Sequence, residues 1–125
     1  MSNCWVCLRI TPKKTLQLAH KIWSNGDTAR EIGSEASEII EQAYRKKPIF
    51  FCGRSARSVL SGLFYLLGFR YRSRKTQDDV MSAFPGKYIF TITTRTLKVS
   101  YRRWLMEFPE LFHGFKFGPG GVIYE

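Results

Sequence analysis

The sequence predicts an all-α domain of five helices, with room for short β-strands at the two ends of the chain. Three observations carry this expectation. Apolar residues recur at helical spacing in five separate stretches. Residues that start and stop helices bracket those stretches. The third stretch is apolar nearly all round, as the central helix of a bundle must be. The length of 125 residues suits one domain with one core. Apolar residues make up 44% of it and aromatics 15%, enough to build that core and to exclude a disordered chain.

Residues 3–10 (NCWVCLRI) are apolar and β-prone without a helical period, and read as a short strand or an extended arm. Thr11-Pro12 opens the first helix, because proline is tolerated at the first helical position. Leu16, Ala19, His20 and Trp23 share one face, which makes His20 a core or boundary residue, and Asn25-Gly26 stops the helix. Thr28 with Glu31 three residues on predicts a capping box for the second helix. Its apolar stripe is Ile32, Ala36, Ile39 and Ala43. Glu35, Glu38 and Glu41 fall off the stripe and read as a solvated face; Pro48 ends the helix.

Residues 49–53 (IFFCG) form a buried connector or a brief strand, and Ser55 caps the third helix. From Val59 to Phe69 this helix carries Val59, Leu60, Leu63, Phe64, Tyr65, Leu66 and Leu67. Gly62 lowers its helix propensity, which close packing of a neighbouring helix would explain. Arg70–Lys75 (RYRSRK) is a basic turn. Thr76 with Asp79 caps a short fourth helix ending near Phe84, and Pro85-Gly86 breaks it. Residues 87–93 (KYIFTIT) alternate apolar and polar as a β-prone insert. The fifth helix runs from Thr94 to Phe108, with Pro109 as its stop. Leu97, Tyr101, Trp104, Leu105 and Phe108 make its apolar stripe; Arg95, Lys98, Arg102 and Arg103 fall away from it. The tail Gly114–Glu125 holds Gly-Pro-Gly-Gly between FKF and VIY, and forms a hairpin or pairs with residues 3–10. The expected organisation is an arm or short strand over 1–10, a helical domain over 11–112 and a glycine-rich tail over 113–125.

Twenty lysines and arginines against ten acids give a formal charge of +10, which points to an anionic partner. Most of the acid sits in the second helix, so the remainder is more basic than the average. The apolar run Val59–Phe69 is too short to span a membrane and is broken by Ser61, Gly62 and Gly68. With no charged segment leading into an apolar stretch at the start, no secretory leader and no membrane partner are expected, and the chain is expected inside the cell. Three cysteines are an odd number and do not make a disulfide framework. Cys4-x-x-Cys7 has the spacing of half a zinc site, but no second pair follows. Cys52 with His20 or His113 would complete it only by folding together, so neither metal nor cofactor is expected. No nucleophile–base arrangement, phosphate-binding glycine loop or close carboxylate pair stands out, and the chain is not expected to be an enzyme.

Five helices around an apolar third helix is the plan of the cyclin box. From about Thr11 to Phe108 the chain resembles the cyclin-like repeats of general transcription initiation factor B of archaea and eukaryotes. The resemblance rests on Ala36–Tyr44 (ASEIIEQAY), on Gly53-Arg54-Ser55 opening the third helix and on Arg74-Lys75-Thr76-Gln77 opening the fourth. Thr96-Leu97-Lys98 and Tyr101-Arg102 in the fifth complete it. It implies a cyclin-like fold, a helix-turn-helix formed by the fourth and fifth helices, and a role in transcription. The family has two such repeats behind a zinc ribbon, whereas this chain has one. Its fourth and fifth helices are also joined by a longer connection, around Lys87–Ile92, where the family has a tight turn. A compact single-repeat form suits a virus or mobile element of archaea.

Double-stranded DNA is therefore the expected partner. A recognition helix anchors one face in the core and offers donors from its N-terminal part to base edges. Arg95 and Lys98 fit base contacts. Thr93, Thr94 and the helix start suit phosphates, and Arg102 and Arg103, further along, fit the DNA backbone. Arg70, Arg72, Arg74, Lys75 and Thr76 suit phosphate clamping beside the helix-turn-helix. TATA-binding protein or RNA polymerase are further expected partners. The alternative is an interaction module that binds such a transcription component without reading DNA sequence.

Overall fold

The computed structural model describes residues 12–51, 56–83, 94–118 and 121–124. Five α-helices follow one another: α1 (Pro12–Ile22), α2 (Gly26–Lys46), α3 (Ala56–Arg70), α4 (Gln77–Ser82) and α5 (Thr94–Glu107). Short 3₁₀ turns lie at Pro48–Phe51 and Pro109–Leu111. The tail forms the hairpin of its two expected arrangements. Strand β1 (Phe115–Gly118) pairs antiparallel with β2 (Gly121–Tyr124), Phe115 opposite Tyr124. The described residues are thus mostly helical, as expected of an all-α chain, and no helix among them is long and apolar enough to cross a membrane.

The apolar third helix is the centre. Val59, Leu60, Leu63, Phe64, Leu66 and Leu67 have no exposed surface. Burying each such side chain contributes about 1.5–3 kcal/mol. Helix α2 packs on it and carries α1 on itself, and α5 packs along it more extensively. The close approach expected at Gly62 is met by α5: a β-carbon there would stand 2.6 Å from the Tyr101 amide nitrogen and 2.7 Å from the Ser100 β-carbon. Two further bonds fix this crossing. The Ser100 hydroxyl donates to the Ser58 carbonyl, and the buried Trp104 indole N–H donates to the Val59 carbonyl at 3.0 Å. Phe50, Phe108 and Phe112 close around Trp104 with ring centroids 4.8, 5.5 and 5.9 Å away.

Several local expectations are met and others are corrected. Thr76 and Asp79 make the reciprocal capping box at the start of α4, and α5 begins at Thr94 and ends one residue before the expected Phe108. The second helix starts earlier than Thr28. Asn25, in an extended conformation, is its N-cap, and its side-chain oxygen accepts from the amides of Asp27 and Thr28 at 2.9 and 3.2 Å. Asparagine serves both as a helix stop and as a cap, and here it caps. His20 is exposed, because Thr15, Ala19, Ile22 and Trp23 form the inward face of α1. Of the two arrangements expected for residues 49–53, the described part is the connector: a 3₁₀ turn over Pro48–Phe51 that buries Phe50 and Phe51 and leaves Ile49 79% exposed, residues 52–53 lying outside the described residues. The expectations for residues 3–10, Ser55, the insert 87–93, and Cys4, Cys7 and Cys52 lie outside the described residues.

Candidate nucleic-acid interface

Helix α5 divides cleanly by helical phase. Leu97, Ser100, Tyr101, Trp104, Leu105 and Phe108 face the core. Arg95, Lys98, Arg102 and Arg103 are all exposed on the other side, so these four predicted contacts share one face. Between them stand two residues that sequence reading passed over, Val99 at 51% and Met106 at 71% exposure. Their outward phase was visible in the sequence, but isolated apolar residues on a surface are ordinary. The face carries no acid: Glu107 is the sole acidic residue of α5 and comes at its end. The Arg103 guanidinium lies over the Phe50 ring at 5.8 Å while the residue stays exposed. Thr94 is the first residue of α5, and Thr93 lies outside the described residues.

Burial also sets the chemistry of the inward face. The Tyr101 hydroxyl is pushed above its ordinary pKa, first by burial and then by the neighbouring Tyr65, whose ring stacks on it at 5.2 Å. It stays neutral and is a packing group rather than an anion.

The basic turn between α3 and α4 does not act as one cluster. Arg70 turns inward. Its guanidinium is bonded to the Glu35 carboxylate and donates to the Leu111 carbonyl at 2.7 Å, and it lies over the Phe112 ring at 5.6 Å. Its expected role as a phosphate contact is corrected to a structural one. The expectation that Glu35 belongs to a solvated face is corrected with it, since Arg70 and Tyr71 both bind that carboxylate and only 22% of its side chain is exposed. Arg72 and Arg74 are exposed and Lys75 is half-buried. Arg72 sits at φ 54°, a left-handed conformation that glycine usually takes after a helix. The Arg74 guanidinium stacks over Phe69 at 4.8 Å. Thr76 is exposed, but its hydroxyl is engaged by the Asp79 amide at 3.1 Å.

Two groups stand out among the described cations. Arg30, Arg45, Lys46, Lys47 and Arg70 each have a carboxylate partner. Arg72, Arg74, Lys75, Arg95 and Lys98 have none among the described residues. Two of the pairs, Lys47–Glu107 at 3.1 Å and Lys46–Glu110 at 3.2 Å, tie the C-terminal end of α2 to the end of α5 and the turn after it. Both pairs are about half exposed, so they contribute little to stability, and they pair the positive charge of α2 at that end. Among the described residues no cluster of three or more potential metal ligands occurs.

No protein-family model, curated protein or solved structure matches the chain.

Proposed function

We propose that this chain binds double-stranded DNA, by binding rather than by catalysis, through the outward face of α5 and the turn Arg72–Lys75 ahead of α4. In this reading α4 and α5 act as the helix-turn-helix of a single cyclin-like repeat, and the chain regulates transcription. The observation that carries it is the two-sided character of α5. One side is locked into α3 at Gly62 and Trp104, while the other holds Arg95, Lys98, Arg102 and Arg103 with no acid among them. Arg95 and Lys98 lie near the N-terminal end, where a recognition helix meets base edges. Arginine suits guanine through two parallel bonds, and Val99 beside them suits a thymine methyl. The cyclin-like reading draws on five helices gathered around an apolar α3.

A second reading is favoured by Val99 and Met106, the exposed apolar residues within the basic face. They suit an acidic protein partner with apolar anchors, such as a component of the transcription machinery, engaged without readout of DNA sequence.

Duplex binding measured at several salt concentrations separates the two. DNA binding predicts that log K falls linearly with log salt, with a slope set by the phosphates neutralised. Arg95→Ala or Lys98→Ala then weakens binding by about 1–3 kcal/mol and relaxes preference at defined base pairs. Wild-type binding that is weak and indifferent to salt would overturn the DNA reading and favour the protein partner.

A further inference from the structure

We infer that the corner between α1 and α2 joins the turn between α3 and α4 to build a seat for one phosphate of the DNA backbone. This inference rests on the proposed DNA binding and adds residues that lie far from α5 in sequence.

A cavity of about 270 Å³ opens between these two segments. Ser24, Asn25 and Thr28 line one wall, and Ser73, Arg74 and Lys75 line the other, with Trp23 beneath. The volume admits a phosphate group with some of its water. The chemistry of the walls is that of an oxyanion site: two cations and the hydroxyls of Ser24 and Thr28, that of Ser73 donating to the Tyr71 carbonyl at 3.4 Å. Arg74 and Lys75 have no carboxylate partner among the described residues. The carboxylate of Asp27 on the same corner is turned to Arg30 at 3.5 Å. The first amides of α2 add little, because those of Asp27 and Thr28 are already bound by the Asn25 side chain. The attraction comes from the side chains of the turn.

The seat is also preformed. The Trp23 indole N–H donates to the Ser73 carbonyl at 2.7 Å, which pins the two walls together. The Ser73 amide donates back to Gly68 at 2.9 Å. The turn packs on α3 at Gly68, where a β-carbon would be in van der Waals contact, 3.4 Å from the Arg74 α-carbon, the Ser73 carbonyl and the Trp23 ring. Stacking on Phe69 limits the freedom of Arg74. Arg72 takes the left-handed conformation that closes the C-terminal end of α3.

The test compares Thr28→Glu with Gln42→Glu in the full chain. Both add one negative charge to α2, and Gln42 is exposed on that helix away from its N-terminal corner. Glutamate is favourable at the third helical position, so Thr28→Glu keeps the fold. Thr28→Glu is expected to weaken duplex binding about ten-fold more than Gln42→Glu and, like Lys75→Ala, to reduce the salt slope by about one. Equal effects of the two glutamates overturn the seat, and if Arg95→Ala still weakens binding the DNA reading stands without it. If the wild type does not bind duplex, inorganic phosphate is titrated while the Trp23 indole N–H and the amides of residues 24–28 and 73–75 are followed by NMR. Saturable shifts confined to these groups and lost in Lys75→Ala support the seat while the DNA reading fails. No shifts there overturn both.

Discussion

The Arg70 guanidinium and the Tyr71 hydroxyl bind the two oxygens of a single carboxylate, that of Glu35 on α2, the tyrosine at 2.5 Å. Arg70, the last residue of α3, and Tyr71 just after it thereby share one acid. A pair this enclosed stabilises by satisfying groups that would otherwise be buried without partners.

Glu35→Gln is therefore expected to lower stability by about 1–3 kcal/mol, because it leaves Arg70 with a neutral partner and Tyr71 with a weaker acceptor. Chemical denaturation measures this. Arg70→Lys is expected to lose stability in the same way while leaving the salt slope of duplex binding unchanged. A fall in that slope would return Arg70 to the phosphate contacts.

The same contact sets a dependence on alkaline pH. Burial, the hydrogen bond to Glu35 and the negative charge of Glu35 hold the Tyr71 hydroxyl well above its ordinary value of 10.0. A raised folded-state pKa means that the folded protein keeps a proton the unfolded chain releases. The associated stability is complete below about pH 10 and falls away as pH rises toward the folded value. Denaturation curves between neutral pH and pH ~11 should show this decline. Tyr71→Phe should begin less stable and decline less steeply, the remaining slope including Tyr101, which is raised in the same direction.

Gly62→Ala is expected to destabilise even though alanine favours a helix by about 1 kcal/mol over glycine. The new methyl meets the backbone of α5 at Tyr101, which cannot move aside as a side-chain tip would. Overpacking of this kind costs about 1–3 kcal/mol. A thermal midpoint at or above that of the wild type would show that α5 is free to shift on α3.

Removing the cap at Asn25 should cost about 1 kcal/mol, whereas Thr28→Ala should be close to neutral. Thermal unfolding of the two variants discriminates the observed start of α2 from the capping box that Thr28 and Glu31 suggest.

Much of the fold was legible because its signals are local. The buried stripe of α5 follows from the spacing of Leu97, Tyr101, Trp104 and Phe108, and the Thr76–Asp79 box from adjacent positions. The exposure of Arg95, Lys98, Arg102 and Arg103 follows from that same phase. Asn25 was ambiguous, since one residue type both ends and begins helices. Arg70 could not be separated from Arg72 and Arg74 by sequence. Its partner lies 35 positions away and is brought to it only by the packing of α2 against α3. Which cations remain available to a ligand is a tertiary property, and the composition reports only their sum.

The bonds from Lys46 and Lys47 to Glu110 and Glu107 also make α5 electrically asymmetric. The two acids at and just beyond its far end are paired with lysines of α2, while its leading end keeps Arg95 and Lys98 without carboxylate partners among the described residues and carries the positive pole of the helix dipole. Under the proposed DNA binding, a polyanion would exert a torque on the molecule before touching it, turning the start of α5 forward. Raising salt is then expected to slow association more than it speeds dissociation.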